Sequence, residues 1–232
     1  MDFKEVILQG IEKRERDNPH ERSGKFTPSR MGRCYRYQIL ERKGAEATDP
    51  ISTNLLITFD IGTMIHRYIQ GFLPAGSCEV KTSTNDVVGY CDYVGVDCVA
   101  DFKTVGFFQW KRIENARTSD IEANNEQYCY QLMTYAYLLN KPKGYLVFVK
   151  KDDMSVRQFE ISLSDWQGRI EHELKVLKDY WDLGVVPKGE PRAYGGKECN
   201  YCNFRSECPD RKLVTVGNRR KTKGVKNVKS NF

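Results

Sequence analysis

The stretch "VVGYCDYVGVDCVADFKT", residues 87–104, reads as a β-hairpin, yet Asp92, Asp97, Asp101 and Lys103 interrupt its apolar residues. On a strand, residues i and i+2 share a face, so Asp101 and Lys103 project together while Phe102 points the other way. Asp92 stands on the neighbouring strand, across a short turn. Two carboxylates brought together repel, and a divalent cation with oxygen ligands, such as Mg²⁺ or Mn²⁺, relieves that repulsion. A lysine beside them can orient a water or stabilise negative charge growing on a phosphate. Taken alone, a D-x-K strand is a solvated edge. The rest of the chain decides between the two.

The flanking segments predict an α/β domain with one central mixed sheet flanked by helices. Residues 3–16 have a modest helical period. Thr27 before Pro28 resembles a cap on a helix running to Lys43, where Gly44 would end it. A loop follows, then a helix within 55–73 with Ile61, Ile65, Tyr68 and Phe72 on one side. Three short strands are expected at 78–83, 86–96 and 98–104, with turns at Thr84–Asn85 and near Gly95–Asp97. Residues 107–116 suit a short helix or lid, and 122–140 a helix stopped by Lys141–Pro142. Strands at 143–151 and 155–163 precede a helix at 165–183, capped by Ser164 and stopped by Gly184. No internal repeat is visible. With 232 residues, 40% hydrophobic and 12% aromatic, the chain suits one core.

Eight of the 37 bases and none of the 31 acids lie in residues 211–232, so the remainder is close to neutral. This divides the chain into an N-terminal helical extension (1–27), a central domain (28–210) and a basic tail expected to be disordered. The tail reads either as a clamp on phosphates or as a solubilising end. The N-terminus lacks the uninterrupted apolar stretch of a signal peptide, and no run approaches a membrane span of ~18–20 residues. A cytoplasmic protein without membrane contact is expected. Eight cysteines are then not a disulfide framework. Cys78, Cys91, Cys98 and Cys129 fall in apolar patterns as small buried hydrophobes, whereas Cys34, Cys199, Cys202 and Cys208 stand among polar and basic residues.

Further residues join the hairpin in a fixed order. G-x-x-x-H at 62–66, G-x-x-D at 89–92, D-x-K at 101–103 and Q-x-x-x-Y at 131–135 together resemble the PD-(D/E)XK nuclease superfamily, specifically its RecB-like branch. The resemblance covers roughly residues 28–209 and implies a restriction-endonuclease-like fold and a metal-dependent deoxyribonuclease. It implies that His66, Asp92 and Asp101 bind Mg²⁺ or Mn²⁺ and that Lys103 assists the attacking water. Gln131 and Tyr135, four apart on one helix face, would support the site and the DNA. Glu79 matches only weakly as a further helper, and Asp97 is left as a structural turn residue.

Cys199, Cys202 and Cys208 form C-x2-C-x5-C, and Cys34 can supply a fourth thiolate. Spacing alone admits either tetrahedral zinc or an iron–sulfur cluster. One cysteine ahead of the nuclease motifs and three after them resembles the iron–sulfur RecB-like nucleases, among them AddB-type repair subunits, CRISPR-associated exonucleases of the Cas-four type and phage-encoded copies. That resemblance implies a 4Fe–4S cluster joining the N-terminal helix to the C-terminal segment, with zinc as the alternative.

DNA contacts are expected from Arg30, Arg33, Arg36 and Arg42 around Cys34, and from "FFQWKR", residues 107–112, including Trp110, Lys111 and Arg112. Aromatics beside bases suit single-stranded nucleic acid, although Phe107, Phe108 and Trp110 could equally be core or lid packing. The expected activity is exonuclease action on single strands or free ends, in recombination, repair or CRISPR-adaptation-like processing. No G-x-x-x-x-G-K-[ST] phosphate loop is present, so any unwinding would come from a helicase partner, beside recombination or CRISPR-adaptation proteins. A non-catalytic nucleic-acid-binding subunit and an endonuclease are the alternatives.

Overall fold

Five strands make one mixed sheet in the order β1–β2–β3–β4–β5. They are β1 (Cys78–Ser83), β2 (Val88–Val94), β3 (Cys98–Val105), β4 (Lys143–Lys150) and β5 (Val156–Ser162). The computed structural model describes residues 2–17, 23–49, 51–74 and 77–213. β1, β2 and β3 run antiparallel, β4 lies parallel to β3 along its whole length, and β5 is antiparallel to β4. Only a strand covered on both faces can carry an unbroken apolar run, and Leu146, Val147, Phe148 and Val149 of β4 are all buried.

The crossover from β3 to β4 contains α4 (Phe107–Ile113), α5 (Thr118–Asn124) and α6 (Glu126–Leu138). The single helix expected over 122–140 is therefore broken, at Asn125, whose backbone (φ −132°, ψ 34°) is not helical. Asn124 and Asn125 are poor helix formers, and Asp120 starts α5 earlier by accepting the Arg117 amide at 2.9 Å. After the break, Leu132 and Met133 of α6 pack onto β4. A side chain at Gly144 would come within 2.7 Å of both, so glycine lets helix and strand meet.

One face of the sheet packs against α6 and α7 (Leu163–Asp182) through residues such as Leu132, Phe148, Trp166 and Ile170. α7 begins directly after Ser162 rather than at the expected Ser164, and Gly184 with φ +67° follows its end. Over the other face lies α3 (Thr53–Gln70), whose Ile65 and Ile69 contact Ala100, Phe102, Val147 and Val149. Ile65 belongs to the expected stripe, but Tyr68 and Phe72 do not face the sheet and are 61% and 72% exposed.

The helix expected from Pro28 to Lys43 is also two pieces: a 3-10 turn, Pro28–Arg30, and α2 (Tyr35–Arg42). Gly32 separates them with φ +74°, a conformation that ends a right-handed helix. Thr27 makes no capping hydrogen bond. α1 (Phe3–Asp17) buries none of its residues and is joined to α3 by Arg14–Asp60 and Thr53–Glu12, each at 2.6 Å. Cys91 and Cys129 are fully buried, and burial pushes both thiols up to about 12. Among the described residues no helix is long and apolar enough to cross a membrane. Nearly all of the basic tail, 214–232, lies outside the described residues.

Candidate active site and cysteine cavity

The β2–β3 ladder holds only at Tyr93↔Ala100 and Val94↔Val99. In an antiparallel register the next pair would be Asp92 and Asp101, which sit where the strands part. Asp92 fills the gap with its own carboxylate, which accepts the Phe102 amide at 2.8 Å. Asp101 is 1% exposed, and its Oδ2 accepts no hydrogen bond. Lys103 Nζ lies 2.7 Å from that oxygen, as an ion pair out of hydrogen-bond alignment, and donates instead to Gln131 Oε1 at 2.9 Å. His66 reaches in from α3, with Nδ1 3.7 Å from Asp92 Oδ2 and its ring edge-on to Phe102. The sheet, α3 and α6 thus bring His66, Asp92, Asp101, Lys103 and Gln131 to one place.

Electrostatics follow from this crowding. Burial, and then repulsion from Asp101, push the Asp92 carboxyl up to about 7. Burial pulls the Lys103 ammonium down, but Asp101 and Asp92 together hold it above its usual value. His66 is held below the ordinary histidine range by burial and by Lys103, which favours the neutral imidazole that ligates metals. Tyr135 is buried on α6, and its hydroxyl takes the space a side chain at Gly89 would fill, 2.6 Å from that Cβ position. The glycine of G-x-x-D therefore admits the tyrosine of Q-x-x-x-Y. Glu79 stands exposed on β1 with φ +50°, accepting Gln70 Nε2 at 2.7 Å. Asp97 pairs with Lys143 at 3.7 Å in the turn, away from these groups.

The residues fit a divalent cation in kind: a buried carboxylate oxygen that accepts no hydrogen bond and is paired with the Lys103 ammonium faces a second carboxyl raised by burial and then by repulsion, with an imidazole alongside whose neutral form is favoured. Among the described residues no three His, Cys, Asp or Glu side chains meet closely enough to hold a metal ion.

Cys34, Cys199, Cys202 and Cys208 line one cavity of about 20 Å³. Two of the sulfurs already accept backbone amides, Cys34 from Glu190 at 3.3 Å and Cys202 from Phe204 at 3.4 Å. Gly189 supplies clearance, since a Cβ there would lie 2.7 Å from Cys208 Sγ. Burial raises the Cys34 thiol and takes Cys202 to about 11. Amide donors to two of the sulfurs favour the thiolate while burial opposes it and prevails at Cys34 and Cys202, so the four cysteines match a thiolate-held cluster in residue type, although among the described residues no three of their side chains meet closely enough to hold a metal.

Two buried glutamates that the sequence reading passed over build this corner. Glu198 accepts Arg33 Nε and the amides of Cys34, Arg192 and Ala193. Glu173 accepts the Gly32 amide, Gln38, Tyr35 and a two-pronged contact from Arg192. A signal for Glu173 exists, because it interrupts the stripe Trp166, Ile170 and Leu177 on the buried face of α7.

Several expected DNA contacts are placed otherwise. Arg33 is buried against Glu198 and stacks on Tyr37 at 3.8 Å, so it is a structural cation. Arg42 is buried between Phe26 and Trp181 and paired with Asp86. Trp110 is a core residue at 8% exposure, and the exposed aromatics of α4 are Phe107 and Phe108 instead. Arg36 lines the cysteine cavity and donates to Pro187 O, while Arg30 lies over the Tyr37 ring. Lys111 and Arg112 are exposed.

No family model matches this sequence, and no curated protein matches it. Its structure is similar to that of SSO0001, with TM-score 0.54 and 18% identity over 90% of this chain and 96% of that one. It is also similar to an alkaline exonuclease, LHK-Exo, from Laribacter hongkongensis, with TM-score 0.50 and 17% identity over 70% of this chain and 90% of that one. The likeness at these identities is one of fold: the chain shares its helix-flanked mixed sheet with an alkaline exonuclease.

Proposed function

We propose that this chain is a metal-dependent DNA exonuclease of the PD-(D/E)XK superfamily and its iron–sulfur RecB-like branch. The observation that carries the reading is Lys103 Nζ, poised between Asp101 and Gln131 where the β2–β3 ladder opens. His66, Asp92 and Asp101 would hold Mg²⁺ or Mn²⁺, which supplies Lewis-acid activation of the phosphodiester and of the attacking water. Lys103, kept charged by its two aspartates, serves as a donor that orients the water and meets negative charge growing on phosphorus. With its ammonium stabilised by the two aspartates before any cation binds, Lys103 is suited to the donor role rather than to that of general base. Gln131 aims the ammonium, and buried Tyr135 fixes α6 against Gly89. Cys34, Cys199, Cys202 and Cys208 would hold a 4Fe–4S cluster that staples the two chain ends. Single strands or free ends, in repair, recombination or CRISPR-adaptation-like processing, are the substrates this reading favours.

End-labelled linear and circular single-stranded DNA, incubated with Mn²⁺, Mg²⁺ or EDTA, tests the proposal, with Asp101→Ala and Lys103→Ala as controls. Metal-dependent shortening of the linear strand that spares the circle and is lost in both variants is the expected result. Cutting of the circle would make it an endonuclease. Activity retained in Asp101→Ala would remove the metal assignment. Iron, sulfide and zinc analysis of anaerobically purified protein decides between cluster and zinc.

A further inference from the structure

α4 leaves an aromatic pair uncovered beside the proposed site. Phe108 is 84% exposed and Phe107 49%, in edge-to-face contact at 5.6 Å, while Trp110 and Ile113 of the same helix enter the core. Large apolar side chains in water are a cost unless something covers them. The pair sits where the parallel strands β3 and β4 both end, since Val105 is in register with Lys150. It follows Lys103 by four and five residues, so about 13–17 Å of extended chain at most separates them. Nucleotides stack about 3.4 Å apart along a strand, which places the pair within a few nucleotides of the reacting phosphate.

Cations surround the rings. Lys111 Nζ and Lys150 Nζ lie 5.6 Å and 5.8 Å from the Phe107 centroid. Both are paired, with Glu114 at 3.1 Å and Asp153 at 2.6 Å. Arg112 and Lys151 form no ion pair among the described residues, which leaves them for phosphates. α4 also touches the catalytic machinery: the Gln109 side chain lies against the Tyr128 hydroxyl, and Lys103 Nζ stands 5.0 Å from the Tyr128 ring centroid.

We propose that Phe107 and Phe108 form a stacking platform for unpaired bases, with Arg112 and Lys151 meeting the phosphates, so that a single strand is led toward Lys103. This rests on the nuclease reading and names its substrate, since successive unpaired bases present faces to the rings that stacking hides inside a duplex. Charge complementarity favours nucleic acid over an apolar protein segment, because Lys111, Arg112, Lys150 and Lys151 outnumber Glu114, Asp152 and Asp153 around the rings.

The test is binding of a single-stranded oligonucleotide carrying 2-aminopurine to the full chain in EDTA, with cleavage in Mn²⁺ measured in parallel. Phe107→Ala/Phe108→Ala should weaken single-strand binding about tenfold or more, with a smaller quench of 2-aminopurine, while Phe108→Trp retains both. Circular dichroism of the variants confirms the fold, because both residues are exposed. Unchanged binding, quenching and trimming in the double variant would overturn the platform and leave the nuclease reading standing. An equal loss on duplex and single strand would overturn its selectivity for unpaired bases. Wild type that neither binds nor cuts would overturn both.

Discussion

Glu198 accepts the backbone amide of Cys34 on both carboxylate oxygens, at 3.0 and 3.1 Å, although the two residues lie 164 apart in the chain. Arg33 and the amides of Arg192 and Ala193 complete its shell. The cysteine-bearing ends are therefore gathered by protein contacts, independently of any cluster. Removing one partner of a buried ion pair leaves the other charged and unpaired, so Glu198→Ala should cost about 3–5 kcal/mol. Urea unfolding reads this directly, and if the four cysteines hold the proposed cluster the variant should carry less iron. Glu198→Gln, which keeps an acceptor oxygen, should lie between. An unchanged unfolding midpoint in Glu198→Ala would refute the clasp.

The turn before Cys34 depends on Gly32 for two separate reasons. Its φ is +74°, and a Cβ would lie 2.3 Å from Tyr130 Cδ2. Gly32→Ala therefore combines left-handed strain of about 1–2 kcal/mol with overpacking of about 1–3 kcal/mol. Gly44 has φ +71° but nothing within 4 Å, so Gly44→Ala should show the strain alone. Thermal melts of the two variants separate the contributions; equal shifts would mean that contact with Tyr130 is relieved at no cost.

In the proposed mechanism Gln131 acts through Lys103. With its 2.9 Å acceptor gone, the ammonium can swing wholly toward Asp101, so Gln131→Ala should lower kcat about ten- to a hundredfold, the scale of a hydrogen bond to a charged group. KM and DNA binding in EDTA should change little. A rise in KM at constant kcat would instead make Gln131 a substrate-binding residue.

The strands were legible in the sequence because each obeys a short-range rule: alternation in β2 and β3, an apolar run in β4, turn residues at Thr84–Asn85 and Gly95–Asp97. The meeting of Asp92, Asp101 and Lys103 was legible as well, because these three charged residues break that pattern where a core should be. The two helix breaks were harder to see. The break at Asn125 has only the weak local signal of two asparagines and the Asp120 cap, whereas Gly32 is turned by a long-range bond to Glu173 and by the approach of Tyr130. Burial of Arg33 and Arg42 was hidden because their distant partners Glu198 and Asp86 carry no periodic mark, whereas Trp110 shares the buried face of the short α4 with Ile113, three residues on. A cluster of arginines reads as a phosphate surface until carboxylates, the buried Glu198 and the half-buried Asp86, are seen to claim two of them.

The Asp92 carboxyl gives the protein a pH dependence of known sign in the absence of metal. In the unfolded chain an aspartate titrates near ~3.9, whereas burial and Asp101 raise it to about 7 in the fold. Between those values the native state binds more protons than the unfolded one, so this group's contribution is fully present below ~4 and is lost as pH rises through about 7. His66, held below its usual value, slopes the other way, gaining stability as pH rises through its unfolded range. Comparing wild type with Asp92→Asn isolates the carboxyl. Unfolding midpoints in EDTA at pH 5, 6, 7 and 8 should fall for wild type relative to the variant, with a limiting slope of about 1.4 kcal/mol per pH unit. A cation competes for the same oxygens, so Mn²⁺ should bind more tightly with rising pH and level off above 7. Parallel midpoint curves for the two proteins would mean that Asp92 ionises normally, and the repulsion invoked to hold a cation between Asp92 and Asp101 would be absent.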